Sequence, residues 1–298
     1  MNILITGATG LIGSHLCKHL ANHHKLVVLT RRKEKAFTTL GHHIDAHQTL
    51  EDIDFNNIDC VINLAGEPIA DKRWTASQKS KIEASRWHIT EQIAEKINAA
   101  TTPPHTFISG SAIGFYGRQN EPVTEQDNQP FDEYSHQLCK KWEQLALNTA
   151  SDKTRVCILR TGIVLAKKAG ALGKMVPPFQ FYLGGPIADG KQYMSWIHIN
   201  DMVNIILFLI ENQTMQGVFN ATAPNPVTNN EFSESLGNTL NRPSLLRMPE
   251  FVLRLLFGEM ADLLVFGQAV LPKAMNDAGF KFQYSELKPA LENVLSGR

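Results

Sequence analysis

The stretch Thr6-Gly7-Ala8-Thr9-Gly10-Leu11-Ile12-Gly13 decides the fold of this 298-residue chain. The apolar run Ile3-Leu4-Ile5 enters it, and a run of helical character from Leu11 to Ala21 leaves it. A second apolar run, Leu26-Val27-Val28-Leu29, follows. Strand, glycine turn, helix and second strand is the order of a dinucleotide-binding unit. We therefore expect the chain to bind a dinucleotide at this turn.

Each glycine of the turn has its own steric task. Gly7 lets the chain bend sharply off the strand, Gly10 lets the backbone approach a pyrophosphate, and Gly13 lets the helix pack closely on the strand. The free N–H groups at the start of the helix then face the anion. An ordinary glycine-rich turn is the alternative, but the flanking strands favour nucleotide binding. The predicted cradle consists of Gly7, Thr9, Gly10, Leu11, Ile12 and Gly13.

The tip of the second strand indicates which cofactor is preferred. A site that prefers NAD usually has Asp or Glu there, which accepts a hydrogen bond from the ribose 2′-hydroxyl. This chain has Arg31 and Arg32 instead, and the nearest acid is Glu34. A guanidinium binds a 2′-phosphate through charge-assisted hydrogen bonds, so the sequence predicts NADP(H). Two solvated surface arginines are the alternative.

Composition excludes several classes of partner. Lysine plus arginine and aspartate plus glutamate both number 29, so no net positive charge favours nucleic acid or an anionic membrane. The longest apolar run, Ile205 to Ile210, is too short to cross a bilayer. The four cysteines lie far apart and the histidines are scattered, which predicts reduced thiols in a cytoplasmic protein and no metal site. Because Met1 leads directly into the first strand, we expect no targeting segment. The expected partner is a small-molecule substrate, and the apolar C-terminal helices either cover the protein's own core or meet a partner, such as a second copy of the chain in a homodimer.

Beyond the second strand, predicted strands and helices alternate, which indicates an α/β, Rossmann-like, doubly wound parallel sheet. Strands are predicted at 59–64, 105–109 and 155–159, and helices at 75–100 and 132–150. Past Thr161, glycine and proline cluster, which predicts a stretch that folds over the sheet rather than extends it regularly, and from Pro249 the chain is helical and apolar. We expect a dinucleotide-binding domain over 1–165, with sheet contributions from about 194–221, and a smaller, mostly helical substrate lobe over 166–298.

The third strand should bring more residues to the cofactor, because ligands lie at the carboxyl ends of parallel strands. Leu64, Ala65 and Gly66 follow that strand directly, and Glu67 comes next. Glu67 is expected either at the nicotinamide end of the cofactor or in solvent. We therefore predict cofactor contacts from all four residues.

Together these motifs resemble the extended short-chain dehydrogenase/reductases, the group that includes sugar-nucleotide epimerases. The motifs that carry this resemblance are Thr6-Gly7-x-x-Gly10-x-x-Gly13, Asn63-Leu64-Ala65-Gly66 and Ser111 to Gly117. Further motifs resemble the atypical, YfcH-type epimerase-like subgroup, which has a C-terminal domain of unknown function. They are Ser85-Arg86, Cys139-x-x-Trp142-Glu143, Arg160 to Leu165, Gly184-Gly185-Pro186, Ser195-Trp196-Ile197-His198-x-x-Asp201, and Gly258-Glu259, Gly267-Gln268, Pro272 and Gly279-Phe280 in the tail. The resemblance implies that Arg86 faces the cofactor pocket, and a buried ion pair is the alternative.

The resemblance also implies a catalytic pair, of which this chain has only one member. In the family a lysine four residues after a tyrosine lowers the pKa of the phenol, which exchanges a proton with substrate as hydride moves. Tyr134 is at the tyrosine position, but Leu138 replaces the lysine, and Lys141 is roughly 10 Å along the helix axis. Tyr134 is predicted either as the general acid/base or as an aromatic wall of the nicotinamide pocket.

Two other hydroxyl groups are candidates for the same role. Ser111 is expected on the loop just past a strand, where it either binds a substrate oxygen or caps the turn. Tyr116 is a second phenol on that loop. His198 and Asp201 are expected to cap a helix and dock the lobe rather than to form a catalytic dyad.

Two functions remain open from the sequence. The first is an NADP(H)-dependent oxidoreductase or epimerase that acts on a small polar substrate, such as a nucleotide-linked sugar. The second is a catalytically degenerate NADP(H)-binding protein that senses redox state or docks a partner.

Overall fold

A seven-stranded parallel sheet forms the centre of the computed structural model, which describes residues 1–167 and 169–296. The strands are β1 (Asn2–Thr6), β2 (Lys25–Leu29), β3 (Asp45–His47), β4 (Cys60–Asn63), β5 (Thr106–Ala112), β6 (Arg155–Thr161), β7 (Ile163–Ala166), β8 (Tyr193–Met194), β9 (Trp196–His198), β10 (Gly217–Ala221) and β11 (Val227–Thr228). The sheet order is β3-β2-β1-β4-β5-β6-β10. This order, which reverses direction between β1 and β4, confirms the doubly wound fold.

Helices cover both faces of the sheet. They are α1 (Leu11–Leu20), α2 (Lys33–Leu40), α3 (Ala76–Ala99), α4 (Tyr134–Leu147), α5 (Gly170–Gln180), α6 (Ile199–Glu211), α7 (Asn229–Leu240), α8 (Glu250–Phe257), α9 (Asp262–Val265), α10 (Lys273–Asp277) and α11 (Leu287–Leu295). One apolar core lies between the sheet and α1, α2 and α6, and another lies between the sheet and α3 and α4. Because both faces are covered, the strands read as nearly continuous apolar runs.

Several sequence predictions need correction. The strand predicted at 105–109 continues to Ala112, so Ser111 lies in a strand and not on a loop. Of the 194–221 region, only β10 joins the central sheet, because β8 pairs with β11 and β9 pairs with β7. The sequence also missed α2, and α5, which carries Pro177 and Pro178 inside it. The outer bounds of the predicted lobe include Lys168, Gly297 and Arg298, which lie outside the described residues.

The C-terminal part of the chain is attached across the carboxyl end of the sheet. The backbone around Val123 bonds to Ala269 and Leu271, and Ser195 bonds to the backbone of Gln268 and Val270. The Gln268 side chain donates to the Ile113 carbonyl at 2.8 Å, just beyond β5. The lobe therefore covers the edge of the sheet formed by the carboxyl ends of the strands, where the motifs Asn63 to Gly66 and Ser111 to Gly117 lie. Among the described residues, no helix is long and apolar enough to span a membrane.

Candidate functional site

The glycine turn forms an anion cradle at the start of α1. Gly7 has a φ of +68°, and a Cβ there would lie 2.5 Å from the Leu64 carbonyl oxygen. A Cβ on Gly13 would overlap the Gly7 carbonyl oxygen. No side chain caps α1 and its first turn contains no acid, so the N–H groups at the helix start have no partner within the described residues. Unpartnered N–H groups with a positive helix dipole suit a pyrophosphate.

The predicted 2′-phosphate contacts lie beside the cradle. Thr6 is opposite Leu29 in the β1–β2 register, which places the tip of β2 next to the turn. Arg31 and Arg32 are exposed there, and neither guanidinium has a hydrogen bond or ion pair within the described residues. Two unpaired cations at this position fit a 2′-phosphate, and nothing competes with that anion for their donors.

A buried polar network fixes the tip of β4 against the cradle. Thr6 donates to the Asn63 side chain at 2.6 Å and accepts from the Ala65 backbone N–H at 3.2 Å. The Asn63 amide donates to the Thr90 hydroxyl at 2.8 Å, which also accepts from the Trp142 indole at 2.9 Å. Leu64 and Ala65 are thereby fixed beside Gly7, while the contacts of Leu64, Ala65 and Gly66 with a cofactor stay a prediction. Sequence reasoning missed Thr90, because nothing local distinguishes it from an ordinary helix residue.

Arg86 lies on α3 beside Gly66. Its Nη1 donates to the carbonyls of Glu67 at 3.0 Å and Ile82 at 3.2 Å, and the guanidinium lies 5.3 Å from the Trp142 ring centre. Burial lowers the pKa of Arg86, and nearby Tyr134 and Glu67 oppose that shift. The alternative of a buried ion pair is wrong, since no carboxylate of the described residues pairs with Arg86. Its charge therefore remains available to a ligand at the carboxyl end of β4.

Two of the three candidate hydroxyls belong to a buried ion-pair cluster. Arg160 binds both carboxylate oxygens of Glu143, at 2.9 and 2.8 Å, and donates to the Tyr116 oxygen at 3.0 Å. Ser111 donates to Glu143 at 2.6 Å, and Tyr116 donates to the Asn220 side chain at 2.8 Å. Burial opposes the charge of Arg160, but Glu143 overcomes this and raises the pKa.

The environment of Ser111 and Tyr116 argues against proton exchange with substrate. Both side chains are buried, and both hydroxyls already donate to a fixed internal acceptor. Burial also raises the pKa of Tyr116, despite the neighbouring Arg160. A structural role, in which these hydroxyls hold the cluster together, fits their surroundings better.

Tyr134 has a different environment, at the mouth of a cleft. The cleft has a volume of about 190 Å³. It is lined by Trp74, Glu133, Tyr134, Ser135, Glu259, Asp262 and Leu263. The Tyr134 hydroxyl lies 3.4 Å from the Lys79 carbonyl oxygen and also bonds to the Glu83 side chain, and its ring packs edge-on against Trp74. The phenol therefore borders the cleft, where a ligand would meet it.

Charged residues join the two sides of this cleft. Lys79 on α3 pairs with Glu259 of the lobe at 2.6 Å, and its ammonium lies 4.5 Å from the Tyr134 ring centre. Arg118 donates to Glu133 at 3.0 Å and lies 3.6 Å from Asp262. Burial and the nearby Glu83 raise the pKa of Tyr134, while Arg86 opposes the shift. The phenol therefore remains protonated at neutral pH.

Leu138 stands where the family pattern has a lysine, and Lys141 does not replace that lysine. That leucine is buried, and its carbonyl accepts from the Trp87 indole at 3.0 Å. Lys141 lies over the Trp87 ring, 4.2 Å from its centre, and not beside Tyr134. No group of three or more His, Cys, Asp or Glu among the described residues is arranged to hold a metal.

His198 and Asp201 have the capping and docking roles that the sequence indicated. The Nδ1 of His198 accepts from the Asn200 backbone at the start of α6, and its Nε2 lies 3.1 Å from the Asn293 side-chain oxygen. Asp201 accepts from the backbone N–H groups of Gln283 and Tyr284 at 2.8 and 2.9 Å. These bonds attach the C-terminal segment to α6, far along the chain from the cradle.

We predict that His198 makes the stability of the protein depend on pH. Burial lowers its pKa to about 4, and the hydrogen bond to the Asn293 side chain opposes that shift. In the unfolded state the imidazole has its usual pKa of about 6.5. Between about pH 6.5 and pH 4, therefore, only the unfolded state takes up a proton, and this favours unfolding. At about pH 5 this should lower the free energy of unfolding by about 2 kcal/mol relative to neutral pH.

Urea unfolding of wild type and His198→Gln at about pH 7.5 and about pH 5 measures this effect. The variant should lose less stability between the two values than the wild type does. His88→Gln, on the exposed face of α3, is the matched control and should follow the wild type. Equal pH dependence in wild type and His198→Gln would contradict the assignment.

The fold and the cradle define a dinucleotide-binding protein with a second lobe across the carboxyl ends of its strands. The chain belongs to the NAD dependent epimerase/dehydratase family, whose model matches residues 3–221. Residues 248–294 match a domain of unknown function, DUF1731. These matches confirm the resemblance inferred from the motifs, including its C-terminal domain.

Relatives match over almost their whole length. An Arabidopsis thaliana protein, "Epimerase family protein SDR39U1 homolog, chloroplastic", is 38% identical over 99% of this chain and 87% of its own length. An epimerase family protein of Mycobacterium leprae is 38% identical over 97% of this chain and 94% of its own. The crystal structure of the human epimerase family protein SDR39U1 (isoform2) with NADPH is 31% identical, with a TM-score of 0.90 over 99% of both chains.

Proposed function

We propose that this protein is an NADP(H)-dependent oxidoreductase of the extended short-chain type that acts on a small polar carbonyl or alcohol. The observation that carries the proposal is the pairing of an anion cradle at Gly7 to Gly13, whose helix N–H groups no side chain caps, with the exposed guanidinium groups of Arg31 and Arg32. NADPH in the related human structure supports the same cofactor here. The second support is Tyr134, the one candidate hydroxyl that opens onto a cleft.

The residues divide between holding the cofactor and handling a proton. The helix N–H groups and Arg31 and Arg32 would hold the phosphates, and the backbone of Leu64 to Gly66, with Glu67 and Arg86, would border the nicotinamide half. When bound, NADPH supplies a hydride to an electrophilic carbon. Tyr134 would donate its proton to the carbonyl oxygen, which leaves an alcohol. The raised pKa keeps the phenol in the protonated form that the reductive direction needs, and it also makes the phenol a weaker acid than an ordinary tyrosine.

The cleft favours a substrate smaller than a nucleotide-linked sugar. Its volume of about 190 Å³ lies below that of typical ligand pockets, roughly 300–1,000 Å³. Its lining includes three carboxylates, Glu133, Glu259 and Asp262, and these engage the nearby Lys79 and Arg118. A diphosphate would meet like charges here, whereas an uncharged or cationic polar group would not.

The leucine at position 138 supports a second function, NADPH binding without turnover. Because Leu138 cannot lower the pKa of Tyr134, a protein that binds NADPH without turnover, as a redox sensor or docking module, is the alternative. Titration with NADPH and NADH, followed by NADPH consumption with a panel of small carbonyls and sugar nucleotides, separates the two. Tight binding without turnover on any member would favour the alternative, and no NADPH binding would overturn both.

Removal of both arginines at the tip of β2 should reduce NADPH affinity selectively. Each lost charge-assisted hydrogen bond costs roughly 1.5–3 kcal/mol, so Arg31→Ala/Arg32→Ala should weaken NADPH by about tenfold or more. NADH lacks the 2′-phosphate and should bind the variant and the wild type equally. Fluorescence titration of both cofactors measures this difference.

Lys18→Ala is the matched control, since Lys18 is an exposed cation in the last turn of α1, at the opposite end from the cradle. It should leave both affinities unchanged. An equal loss for NADPH and NADH in the double variant would refute the 2′-phosphate assignment.

A further inference from the structure

An unusually large apolar surface, here named the α8 face, lies on the C-terminal lobe. Its members are Phe181, Tyr182, Leu183, Leu245, Leu246, Met248, Phe251, Leu255 and Leu256. Four of them are more than two-thirds exposed: Phe181 at 74%, Leu245 at 81%, Phe251 at 71% and Leu255 at 74%. Scattered single apolar residues are normal on a surface, but a group of this size marks an interaction site.

The members of the α8 face come from three segments that lie side by side. The backbone N–H of Leu246 donates to the Gly184 carbonyl at 3.2 Å, and that of Met248 donates to the Pro186 carbonyl at 2.9 Å. These bonds join the segment 245–248 to the chain just after 181–183. Helix α8 begins directly after Pro249, so its exposed side chains extend the same surface.

Helix α8 is apolar on two sides but is covered on only one. Leu253 is buried against Ala261 and Val265, which attaches the helix to the lobe. Phe251 and Leu255, four residues apart, lie on one outward face, and Leu256 is beside them. A helix that is apolar beyond its buried stripe normally packs against something on the second side as well.

The exposed apolar area matches one half of a stable protein interface. At roughly 150–200 Å² for a fully exposed large apolar residue, the nine side chains expose on the order of 1,000 Å². A standard interface buries about 800 Å² on each partner.

The charges around the α8 face favour a second copy of the chain over an anionic membrane. Arg254 pairs with Glu250 and Asp262, Arg247 donates to the Ala188 carbonyl and the Asn230 side chain, and Arg242 lies over the Tyr182 ring. Membrane binding at such a surface needs free cations, and these three are engaged within the chain. The formal net charge of zero means that two copies do not repel each other.

We propose that two copies of this chain associate through their α8 faces into a homodimer. The contact is isologous, because the same surface of each copy meets that of the other across a two-fold axis. Phe251 and Leu255 lie at its centre, and the ion pairs of Arg254 lie at its rim.

Sedimentation velocity of the full chain over a range of micromolar concentrations tests the proposal. The expected species has twice the 33.2 kDa mass of the chain. Phe251→Glu/Leu255→Glu should sediment as a single chain, because association would bury unpaired carboxylates. Leu147→Glu is the matched control, since Leu147 is 41% exposed at the end of α4, on another surface, and this variant should remain a dimer.

A second variant keeps the test independent of helix α8. Leu245→Glu changes the loop segment of the same surface and should also give a monomer, while the circular dichroism spectrum of both variants remains that of the wild type. A wild-type protein that is monomeric at every concentration overturns the proposal. The proposal also fails if this monomer binds anionic lipid vesicles and sediments with them, because the α8 face would then be a membrane-binding surface. A dimer that persists in both variants overturns it as well.

Discussion

Arg160→Met should lower the free energy of unfolding by about 3–5 kcal/mol, the usual cost of leaving one member of a buried ion pair without its partner. Arg160 and Glu143 are both buried, and two hydrogen bonds of 2.9 and 2.8 Å join them. Without Arg160, the Glu143 carboxylate would keep only the hydrogen bond from Ser111. Because a typical protein is stable by about 5–15 kcal/mol, this loss would be a large part of the total.

Urea unfolding followed by circular dichroism measures the change. Lys273→Met is the matched control, because Lys273 forms an exposed ion pair with Asp277 one helical turn away, which is worth at most about 0.5 kcal/mol. The double variant Arg160→Met/Glu143→Met should recover much of the loss, since neither charge is then buried alone. An Arg160→Met variant that is no less stable than Lys273→Met would show that the pair does not hold the carboxyl end of the sheet.

The local physics of the first thirty residues was enough to predict the cradle. The chain bends at Gly7 through a positive φ, and the space at Gly13 is filled by its own neighbouring backbone. Both facts depend on residues a few positions apart, so they can be inferred from the pattern of glycines between a strand and a helix. The same holds for the exposed arginines after β2, where the absence of an acid was the signal.

The roles of Ser111 and Tyr116 could not be predicted, because they depend on distant partners. Ser111 was expected on a loop beside the substrate, but β5 continues through it and brings it opposite Arg160 in the sheet. Tyr116 bonds to Asn220, which is 104 residues away. Nothing near either residue in the sequence indicates that its hydroxyl already has an acceptor.

Helix α5 was missed for the opposite reason, since its local signal was misleading. Pro177 and Pro178 lack backbone N–H groups and normally end a helix, so an irregular segment was predicted. In the structure the helix buries Leu172 and Phe179 in the apolar core of the lobe, and this packing offsets the missing hydrogen bonds. Tertiary contacts thus outweighed local preference.

Among the three candidate hydroxyls, removal of the one on Tyr134 should have the largest effect on turnover. For any carbonyl that the wild type reduces, Tyr134→Phe should lower kcat/KM by roughly 10²- to 10⁴-fold, the usual contribution of a positioned proton donor. The affinity for NADPH should not change, because no described contact links the phenol to the cradle. Stopped-flow or steady-state NADPH consumption, together with a separate NADPH titration, measures both quantities.

The pH profile tests the same assignment independently. Burial and Glu83 raise the pKa of Tyr134, so the phenol should remain protonated across the neutral and mildly alkaline range. As the pH is raised, the rate of carbonyl reduction should therefore not decline through deprotonation of Tyr134 until the pH is well above the usual tyrosine pKa of about 10. Glu83→Gln removes a neighbouring negative charge and should lower that pKa, which would move the alkaline decline to lower pH.

Three further variants distinguish Tyr134 from the other hydroxyls. Tyr182→Phe, on an exposed turn of the lobe, is the matched control and should retain full turnover. Tyr116→Phe and Ser111→Ala should lower the free energy of unfolding, because each leaves a buried acceptor with one bond fewer, but any folded fraction should turn over at the wild-type rate. If Ser111→Ala instead abolished turnover while Tyr134→Phe retained it, proton transfer would belong to the buried cluster and not to the cleft.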